Sequence, residues 1–318
     1  MIGRVTRMAT PQAGIIPDPN PHALFLILRV LDPGTNGPGV AAVAAGVPVL
    51  VQKVGAKDRQ ARLVCTAGFG SEFWNVISPA RRPLGLRPFR AIEAGEKSAP
   101  NTGGDLLFHI ISRRQDLNFE LAMRIRSRLG GRVEVMEEVE GFRYMDSRDL
   151  TGFIDGTENP KGRQRAEVAL IGSEDQACAG GSYVFTQRYV HNLKLWASVP
   201  EKEQEKVIGR RKADSKELSD RIKPATAHIS RTVIEENGEE LEIVRHSFPY
   251  GTTSEAGLFF IAYSKNPDIP EKMLSRMMGT SGDGLHDRLM DYSRAVSGAT
   301  FFAPSLELLK SFASSRSL

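Results

Sequence analysis

Short apolar runs alternate with polar segments along this chain, and their spacing predicts a repeated order of strands and helices. In the first half, four runs have the near-continuous or alternating hydrophobicity typical of strands, namely 23–30, 62–69, 106–112 and 133–144. Apolar residues at helical spacing predict a helix over 117–129, whereas 40–51 fits either a helix or a strand. The segment 32–39 is rich in Gly and Pro, which predicts a loop.

The second half of the chain repeats this order. Its apolar runs predict strands over 182–190, 241–248 and 258–264, and helices over 194–209, begun near Pro200, and 270–278. When Leu106 is placed over Leu258 without gaps, Leu-Leu-Phe-His-Ile-Ile-Ser falls on Leu-Phe-Phe-Ile-Ala-Tyr-Ser. The same elements in the same order indicate an internal duplication.

We therefore expect an α+β fold made of duplicated ferredoxin-like halves, each an antiparallel sheet with helices on one face. The expected organisation is an N-terminal arm (1–20), a first half (21–150), a second half (151–312) and a short tail (313–318). Two antiparallel sheets that face each other would enclose a deep apolar site between them.

Composition and charge narrow the range of functions. The net charge is 42 − 38 = +4, and the basic residues have no interleaved aromatic residues, so we do not expect nucleic acid binding. The two cysteines, Cys65 and Cys178, are too few for a disulfide framework or a thiolate metal site. Neither a signal peptide nor an apolar run of membrane-spanning length is evident, so a cytoplasmic protein without a membrane partner is expected.

The segment 151–160, Thr-Gly-Phe-Ile-Asp-Gly-Thr-Glu-Asn-Pro, is the first candidate for chemistry. Gly152 and Gly156 bracket Asp155, and glycine permits a positive φ and a close neighbour. The segment therefore predicts a loop that presents one carboxylate to something large and flat. A tight turn with a solvated Asp155 is the simpler alternative.

Two further segments supply candidate ligands and charges. His228 is approached by Pro224 and small alanines, so a bulky planar group could come close to its imidazole, although a lone histidine is usually structural. Strand alternation sends Arg245 and Ser247 to one face of the predicted strand. Arg245 then pairs either with Asp155 in one pocket, because a buried guanidinium needs an anion, or with a surface carboxylate.

The last candidates are apolar or acidic. Leu258 and Phe260 share a strand face and could form the apolar wall of that pocket or simply pack in the core. Asp287 and Asp291 lie one turn apart near the last helical stretch, where either could accept a hydrogen bond from the far nitrogen of a metal-bound His228. Solvated helix charges are the alternative for both.

Taken together, these segments resemble the dye-decolorizing peroxidase family. The resemblance covers roughly residues 20–310 and is carried by Gly-Phe-Ile-Asp-Gly-Thr-Glu-Asn-Pro from Gly152, Ala-His-Ile-Ser-Arg from Ala227, Val-Arg-His-Ser-Phe from Val244 and Thr-Phe-Phe-Ala-Pro-Ser from Thr300. The chain lacks large insertions and is most similar to the bacterial type B branch. Such peroxidases bind haem b between two ferredoxin-like halves, without a covalent bond, and no Cys-x-x-Cys-His is present here.

The resemblance implies roles for individual residues. His228 would be the proximal ligand of the iron, Asp155 and Arg245 the distal catalytic pair, and Asp287 rather than Asp291 the partner of His228. Ser247 occupies a distal position where some relatives carry Asn. The remaining cofactor contacts implied are Ile154, Gly156, Thr157, Gln187, Arg210, Leu258 and Phe260.

The implied activity is reduction of hydrogen peroxide with oxidation of dyes, phenols or other bulky one-electron donors by a homo-oligomer. Because bulky donors cannot enter a small distal pocket, electron transfer from a surface residue is a possible route, and Trp74, Trp196 or a tyrosine could relay the electrons. The alternatives are a haem-binding or haem-handling protein with incidental peroxidase activity, and a haem-free ferredoxin-like binding module. A protein that only stores or transports haem would need no distal acid–base pair, so the presence of Asp155 and Arg245 distinguishes a peroxidase from the first alternative.

Overall fold

The computed structural model describes residues 9–17 and 20–314. Residues 1–8 and 18–19 of the expected arm and residues 315–318 of the expected tail lie outside the described residues. The strands of the described part are β1 His22–Val30, β2 Val64–Gly70, β3 Ile92–Ala94, β4 Lys97–Ala99, β5 Leu106–Ser112, β6 Val133–Phe142, β7 Ser182–His191, β8 Glu235–Glu236, β9 Glu239–Glu240, β10 Val244–Arg245, β11 Phe248–Gly251, β12 Ala256–Ser264 and β13 Ser293–Ala303. The helices are α1 Pro33–Ala45, α2 Val47–Gly55, α3 Ser71–Ile77, α4 Gln115–Leu129, α5 Gln164–Ala169, α6 Leu193–Ala197, α7 Glu201–Ile208, α8 His228–Thr232, α9 Asp268–Met278 and α10 Leu306–Ser311.

The strand order confirms the duplicated ferredoxin-like fold. The main strands form one antiparallel sheet in the order β10-β12-β7-β13-β2-β5-β1-β6, and β11 also pairs with β12. In each half the four main strands, numbered along the chain, lie side by side in the order 4-1-3-2. The strands aligned through Leu106 and Leu258, β5 and β12, are the third strand of their halves.

The two halves pack face to face as well as edge to edge. β13 pairs with β2 through Phe301↔Gly70 and Phe302↔Phe69, so the sheet continues from one half into the other. The sheet also folds over, since the Phe25 ring of β1 stacks on the Phe259 ring of β12 with centroids 4.0 Å apart. Aromatic and aliphatic side chains fill this interface. The expectation of a deep site between the facing sheets is therefore wrong, because packed side chains fill that space and the candidate cavity is lined almost wholly by residues of the second half.

The segment 32–39 is helical, contrary to the predicted loop. Pro33 is the first residue of α1, a position where its fixed φ suits the helix and its missing N–H costs nothing. Close packing favours glycine at position 37, because a Cβ there would lie 3.2 Å from Val76 and 3.4 Å from Phe73. The predicted loop over 32–39 is wrong because glycine is favoured in closely packed helices as well as in turns.

Pro33–Gly55 is a 23-residue helical stretch that is long and apolar enough to cross a membrane by length and composition alone. The expectation that no apolar run approaches this length was wrong. The stretch breaks at Gly46 into α1 and α2, and Val40, Val47 and Leu50 are buried in the core of the first half. Its hydrophobicity is that of a helix pair covering a sheet.

Two second-half elements are more broken than predicted. The helix expected over 194–209 is two helices, α6 and α7, and Pro200 caps the second. The strand expected over 241–248 is interrupted between β10 and β11, where the Ser247 Oγ accepts the backbone N–H of Ile261 at 3.4 Å. The two pieces keep one register against β12.

Candidate active site

A single cavity collects the residues singled out from the sequence. It lies on the outer face of the second half's sheet, under α8, α9 and the loop after residue 148. Its free space, including the part open to solvent, is about 1430 Å³. The predicted residues that line it are Ile154, Asp155, Gly156, Thr157, Gln187, Arg210, His228, Arg245, Ser247, Leu258 and Phe260. The remaining predicted residue, Asp287, lies directly behind His228.

His228 is the first residue of α8 and lines the cavity. Its Nδ1 lies 2.6 Å from the Oδ2 of Asp287, which is fully buried. The other carboxylate oxygen, Oδ1, accepts the backbone N–H of Leu289 at 2.8 Å. A carboxylate against Nδ1 holds the ring proton there, so the lone pair of Nε2 is free for a ligand bond on the cavity side.

Asp291 is not close to His228 in this arrangement. Its Oδ1 lies 3.0 Å from the Nε2 of His286 and 3.0 Å from the Nζ of Lys97. Of the two candidate acids, the structure therefore places Asp287 against His228.

Arg245 and Ser247 reach the cavity through the alternation expected of a strand, although the strand is interrupted between them. His246 points the other way, and its Nε2 lies 2.9 Å from the backbone oxygen of Ile15. Asn159 clamps the backbone of Arg245 by donating to its C=O at 2.7 Å and accepting its N–H at 2.9 Å. The sequence reasoning missed Asn159 as a positioning residue, because its partner is 86 positions away.

The loop that carries Asp155 is fixed on both sides of the acid. Gly152 and Gly156 adopt φ values of 89° and 76°, which other residues rarely adopt. Arg148 donates from Nη1 to the carbonyl of Gly152 at 2.7 Å, and the backbone N–H of Asp155 donates to Ser147 at 3.0 Å. The carboxylate is thereby held in a set position.

Burial raises the pKa of Asp155 above its ordinary value, and the charge of Arg245 only partly opposes this effect. The nearby carboxylate of Asp149 adds to the rise. Asp155 and Arg245 share the cavity without a direct ion pair between them in the described part of the chain. Burial therefore dominates the competition between burial and the arginine charge that the sequence left open.

A hydrogen-bonded chain in the cavity wall was not anticipated from the sequence. The Nε2 of His191 lies 3.2 Å from the Oδ1 of Asp149, and its Nδ1 lies 2.8 Å from the Oγ of Ser293. Burial raises the pKa of Asp149, but His191 and the hydrogen bonds from Thr151 outweigh it and hold the pKa at about 2. No spacing rule could have found this group, because its members come from three separate elements.

The cavity fits a flat, metal-bearing group with acidic edges. Leu258, Phe260 and other apolar residues supply the walls, and His228 offers one nitrogen ligand. The Nε2 of Gln187 and the Nε of Arg210 are buried donors without a partner in the described residues, so they could receive acidic groups. A Cβ added to Gly156 would meet no atom within 4 Å, which leaves room beside the loop.

Both tryptophans are buried, so neither is itself a surface site for a bulky donor. Trp74 belongs to the core of the first half and packs edge-on against Phe302. Trp196 lies beside the cavity, where its Nε1 donates to the carbonyl of Thr151 at 2.9 Å. Any route through Trp196 would need a further residue to reach solvent.

Two family models match the chain. The N-terminal model of the Dyp-type peroxidases matches residues 12–143 and the C-terminal model matches residues 146–308. A protein named dye-decolorizing peroxidase from Mycolicibacterium paratuberculosis is 44% identical over 91% of this chain and 82% of its own length. Another of that name from Mycobacterium tuberculosis is 41% identical over 91% and 87%.

Solved structures agree with these matches. A putative dyp-type peroxidase from Shewanella oneidensis superimposes with a TM-score of 0.92 at 41% identity, covering 96% of this chain and 99% of that one. Variants of DypB from Rhodococcus jostii RHA1 in complex with heme give the same TM-score; one has 41% identity and covers 96% and 99%. An encapsulated peroxidase from Mycobacterium smegmatis has a TM-score of 0.91 at 39% identity, covering 95% and 98%.

Proposed function

Because the chain belongs to the Dyp-type peroxidase family and is a peroxidase, we propose that the cavity beside His228 is its haem site. The Nε2 of His228 is the iron ligand, and Asp287 orients the imidazole and strengthens it as a donor. The Nε2 of Gln187 and the Nε of Arg210, which lack partners in the described residues, bind the propionates. Leu258, Phe260, Ile154, Gly156 and Thr157 contact the macrocycle. The bound haem b, held without a covalent bond, supplies two oxidising equivalents from peroxide for use in one-electron steps.

Asp155 is the proposed general base and acid. Its carboxylate accepts a proton from hydrogen peroxide and returns it to the departing oxygen, a contribution of roughly 10²–10⁴-fold to the rate. The loop geometry supports this role, because hydrogen bonds from Arg148 and from the Asp155 backbone hold the acid at the cavity wall. Since burial raises its pKa, Asp155 is also a stronger base than an ordinary aspartate once ionised.

Arg245 is the proposed electrostatic partner. Its fixed positive charge stabilises the negative charge that develops on the departing oxygen, in a cavity with mostly apolar walls. Asn159 holds the backbone of Arg245, so the guanidinium needs little reorganisation during the reaction. Ser247 adds a hydroxyl to the same wall.

The donors we propose are dyes, phenols and other bulky one-electron reductants, oxidised outside the distal pocket. We also propose that the protein is cytoplasmic and forms a homo-oligomer. Measurement of its molecular mass in solution at several protein concentrations tests the oligomeric state. The single observation that carries the proposed function is that one cavity holds the free Nε2 side of His228 together with Asp155 and Arg245.

The test is the time course of the Soret absorbance after the haem-loaded protein is mixed rapidly with one equivalent of hydrogen peroxide. We expect the Soret band of the wild type to change rapidly, and the change to be slower by about 10²–10⁴-fold in Asp155→Asn. Asp291→Asn is the matched control, since Asp291 pairs with Lys97 and His286 outside the cavity, and it should react like the wild type. An Asp155→Asn protein that reacts at the wild-type rate would remove Asp155 from the mechanism.

A further inference from the structure

A tyrosine and a histidine are hydrogen-bonded to each other between the two sheets, behind the wall of the cavity. The phenolic oxygen of Tyr263 lies 2.8 Å from the Nδ1 of His109, and both residues are fully buried. Tyr263 comes from β12 of the second half and His109 from β5 of the first. The proposed function assigns no role to either residue.

The groups directly around the pair are kept neutral by burial, and one charge lies next to them: the Nη2 of Arg165 is 3.4 Å from the Nε2 of His246. Burial lowers the pKa of His109 well below its ordinary value, so the ring is neutral at rest, and burial raises the pKa of Tyr263 so far that the phenolate is excluded. The other titratable groups that face the pair are His246, whose pKa burial lowers to about 4, and Cys65, whose thiol pKa burial raises. The hydroxyl of Thr66 also lies beside the phenol.

A neutral His109 that accepts the phenolic proton bond at Nδ1 carries its own proton on Nε2. That nitrogen is buried and has no hydrogen-bond partner in the described part of the chain. A buried N–H without a partner is destabilising, so an apolar residue would serve packing better at this position. The presence of an imidazole at this position therefore calls for a chemical explanation.

The pair lies close to the proposed cofactor. Tyr263 is three residues along β12 from Phe260, which lines the cavity; at about 3.3 Å per residue this is about 10 Å along the strand. Tyr263 is also adjacent to Ala262, the strand partner of Arg245. Phe260 and Tyr263 are on opposite faces of β12, so one layer of the sheet separates the phenol from the cavity.

We propose that Tyr263 is a redox-active residue and that His109 is its proton acceptor. The proposal rests on the proposed peroxidase function, which supplies the one-electron oxidant. The phenol of Tyr263 gives one electron to the oxidised cofactor while its O–H bond breaks and the proton forms an N–H bond at Nδ1 of His109. The products are a neutral tyrosyl radical, an imidazolium and a cofactor reduced by one electron.

Loss of the electron alone would leave a positively charged phenol radical in an apolar site, which burial disfavours. The hydrogen bond to His109 makes the step feasible, because the proton can leave the phenol together with the electron. An external one-electron donor reverses the step: the electron returns to the radical and the proton returns from Nδ1 to the phenolic oxygen. Since both residues are inaccessible to solvent, the pair does not contact bulky donors. It holds an oxidising equivalent inside the protein when peroxide arrives before a donor.

The test uses the haem-loaded protein mixed with one equivalent of hydrogen peroxide without a donor, frozen rapidly and examined by electron paramagnetic resonance. The wild type should show a tyrosyl radical. Tyr263→Phe, which removes only the phenolic oxygen, should lose that signal, and His109→Gln, which keeps an acceptor but cannot take the proton, should give a severalfold weaker one. Tyr250→Phe is the control, because its hydroxyl also lies in the core between the sheets but bonds to Tyr189 and Arg188.

The Soret band of the same samples distinguishes failure of the proposed Tyr263–His109 role from failure of the proposed peroxidase function. A normal Soret change with no tyrosyl radical in the wild type, or an undiminished radical in Tyr263→Phe, would overturn the role of the pair and leave the peroxidase function intact. Absence of any Soret change would overturn both. If the phenylalanine variant folds poorly, high-field g values of the wild-type radical decide instead: a radical hydrogen-bonded to an imidazolium is expected, and one without a hydrogen bond contradicts the proposal.

Discussion

The two halves share a strand order but use the helix-covered face of the sheet differently. In the first half, Leu106 and Phe108 of β5 are completely buried beneath α1, α2 and α4. The residues aligned with them in the second half, Leu258 and Phe260 of β12, are only half-buried and line the cavity. One face is a packed core, and its duplicate is a binding site.

The covering segments explain the difference. The first half places α1 and α2, 22 helical residues, over its sheet. The corresponding part of the second half has only α6, α7 and α8, of five to eight residues each, and a long loop from 209 to 227 separates α7 from α8. Short helices cannot cover a four-stranded face, so space remains for a large ligand, and α8 places His228 at its edge.

The largest expected effect comes from removing the ligand on the open face. His228→Ala should lose tight haem binding, because the other histidine that lines the cavity, His191, has both ring nitrogens hydrogen-bonded, to Asp149 and to Ser293. The measurement is a haem titration followed in the Soret region. His286→Ala, which alters an exposed histidine paired with Asp291, should bind like the wild type. Equal haem affinity in both variants would exclude His228 as the ligand.

Removal of Arg245 should change both the rate and its pH dependence. Arg245→Leu is expected to slow the reaction with peroxide by about 10²–10³-fold, as for the loss of a fixed donor to developing charge. Burial holds the pKa of Asp155 above its usual value and Arg245 opposes this rise, so the variant should raise the pKa further. Because the base form exists only above that pKa, the acid limb of the rate profile should move to higher pH. An acid limb that stays in place would mean that another group limits the reaction.

The duplicated fold and several site residues could be predicted from the sequence because they depend on local pattern. The register of Leu106 on Leu258 indicated the repeat, and alternation placed Arg245 and Ser247 on one face. Asn159 and the chain of Asp149, His191 and Ser293 could not be predicted, since they depend on how distant loops pack.

The position of the cavity could not be predicted from the sequence either, for a different reason. The facing sheets were expected to enclose the site, but ring packing such as that of Phe25 on Phe259 fills the space between them. Which sheet face stays open depends on how many helical residues pack on it in each half. In the first half the glycine- and proline-rich start of α1 predicted a loop, so the full extent of the helices on that face could not be seen from the sequence. The periodicity of a strand does not show which of its faces is filled.

The duplication offers a matched pair of substitutions that tests the comparison directly. Phe108→Ala should destabilise the cofactor-free protein by about 3–5 kcal/mol, because it opens a hole in a packed core. Phe260→Ala should cost much less, because its ring already faces open space. Denaturant unfolding of both variants is the measurement. Equal losses would mean that the second face is as tightly packed as the first without its ligand.

The smallest effect concerns Asp287. Both of its carboxylate oxygens accept a hydrogen bond, one from the Nδ1–H of His228 and one from the backbone N–H of Leu289. An amide has one acceptor oxygen, so Asp287→Asn must give up one of these bonds or turn its NH₂ group toward a donor. We expect the peroxide rate to fall by about 10–100-fold and the haem reduction potential to rise, because a less basic imidazole stabilises oxidised iron less well. Asp291→Asn should leave the potential unchanged, and an unaltered potential in Asp287→Asn would show that the bond to His228 does not tune the iron.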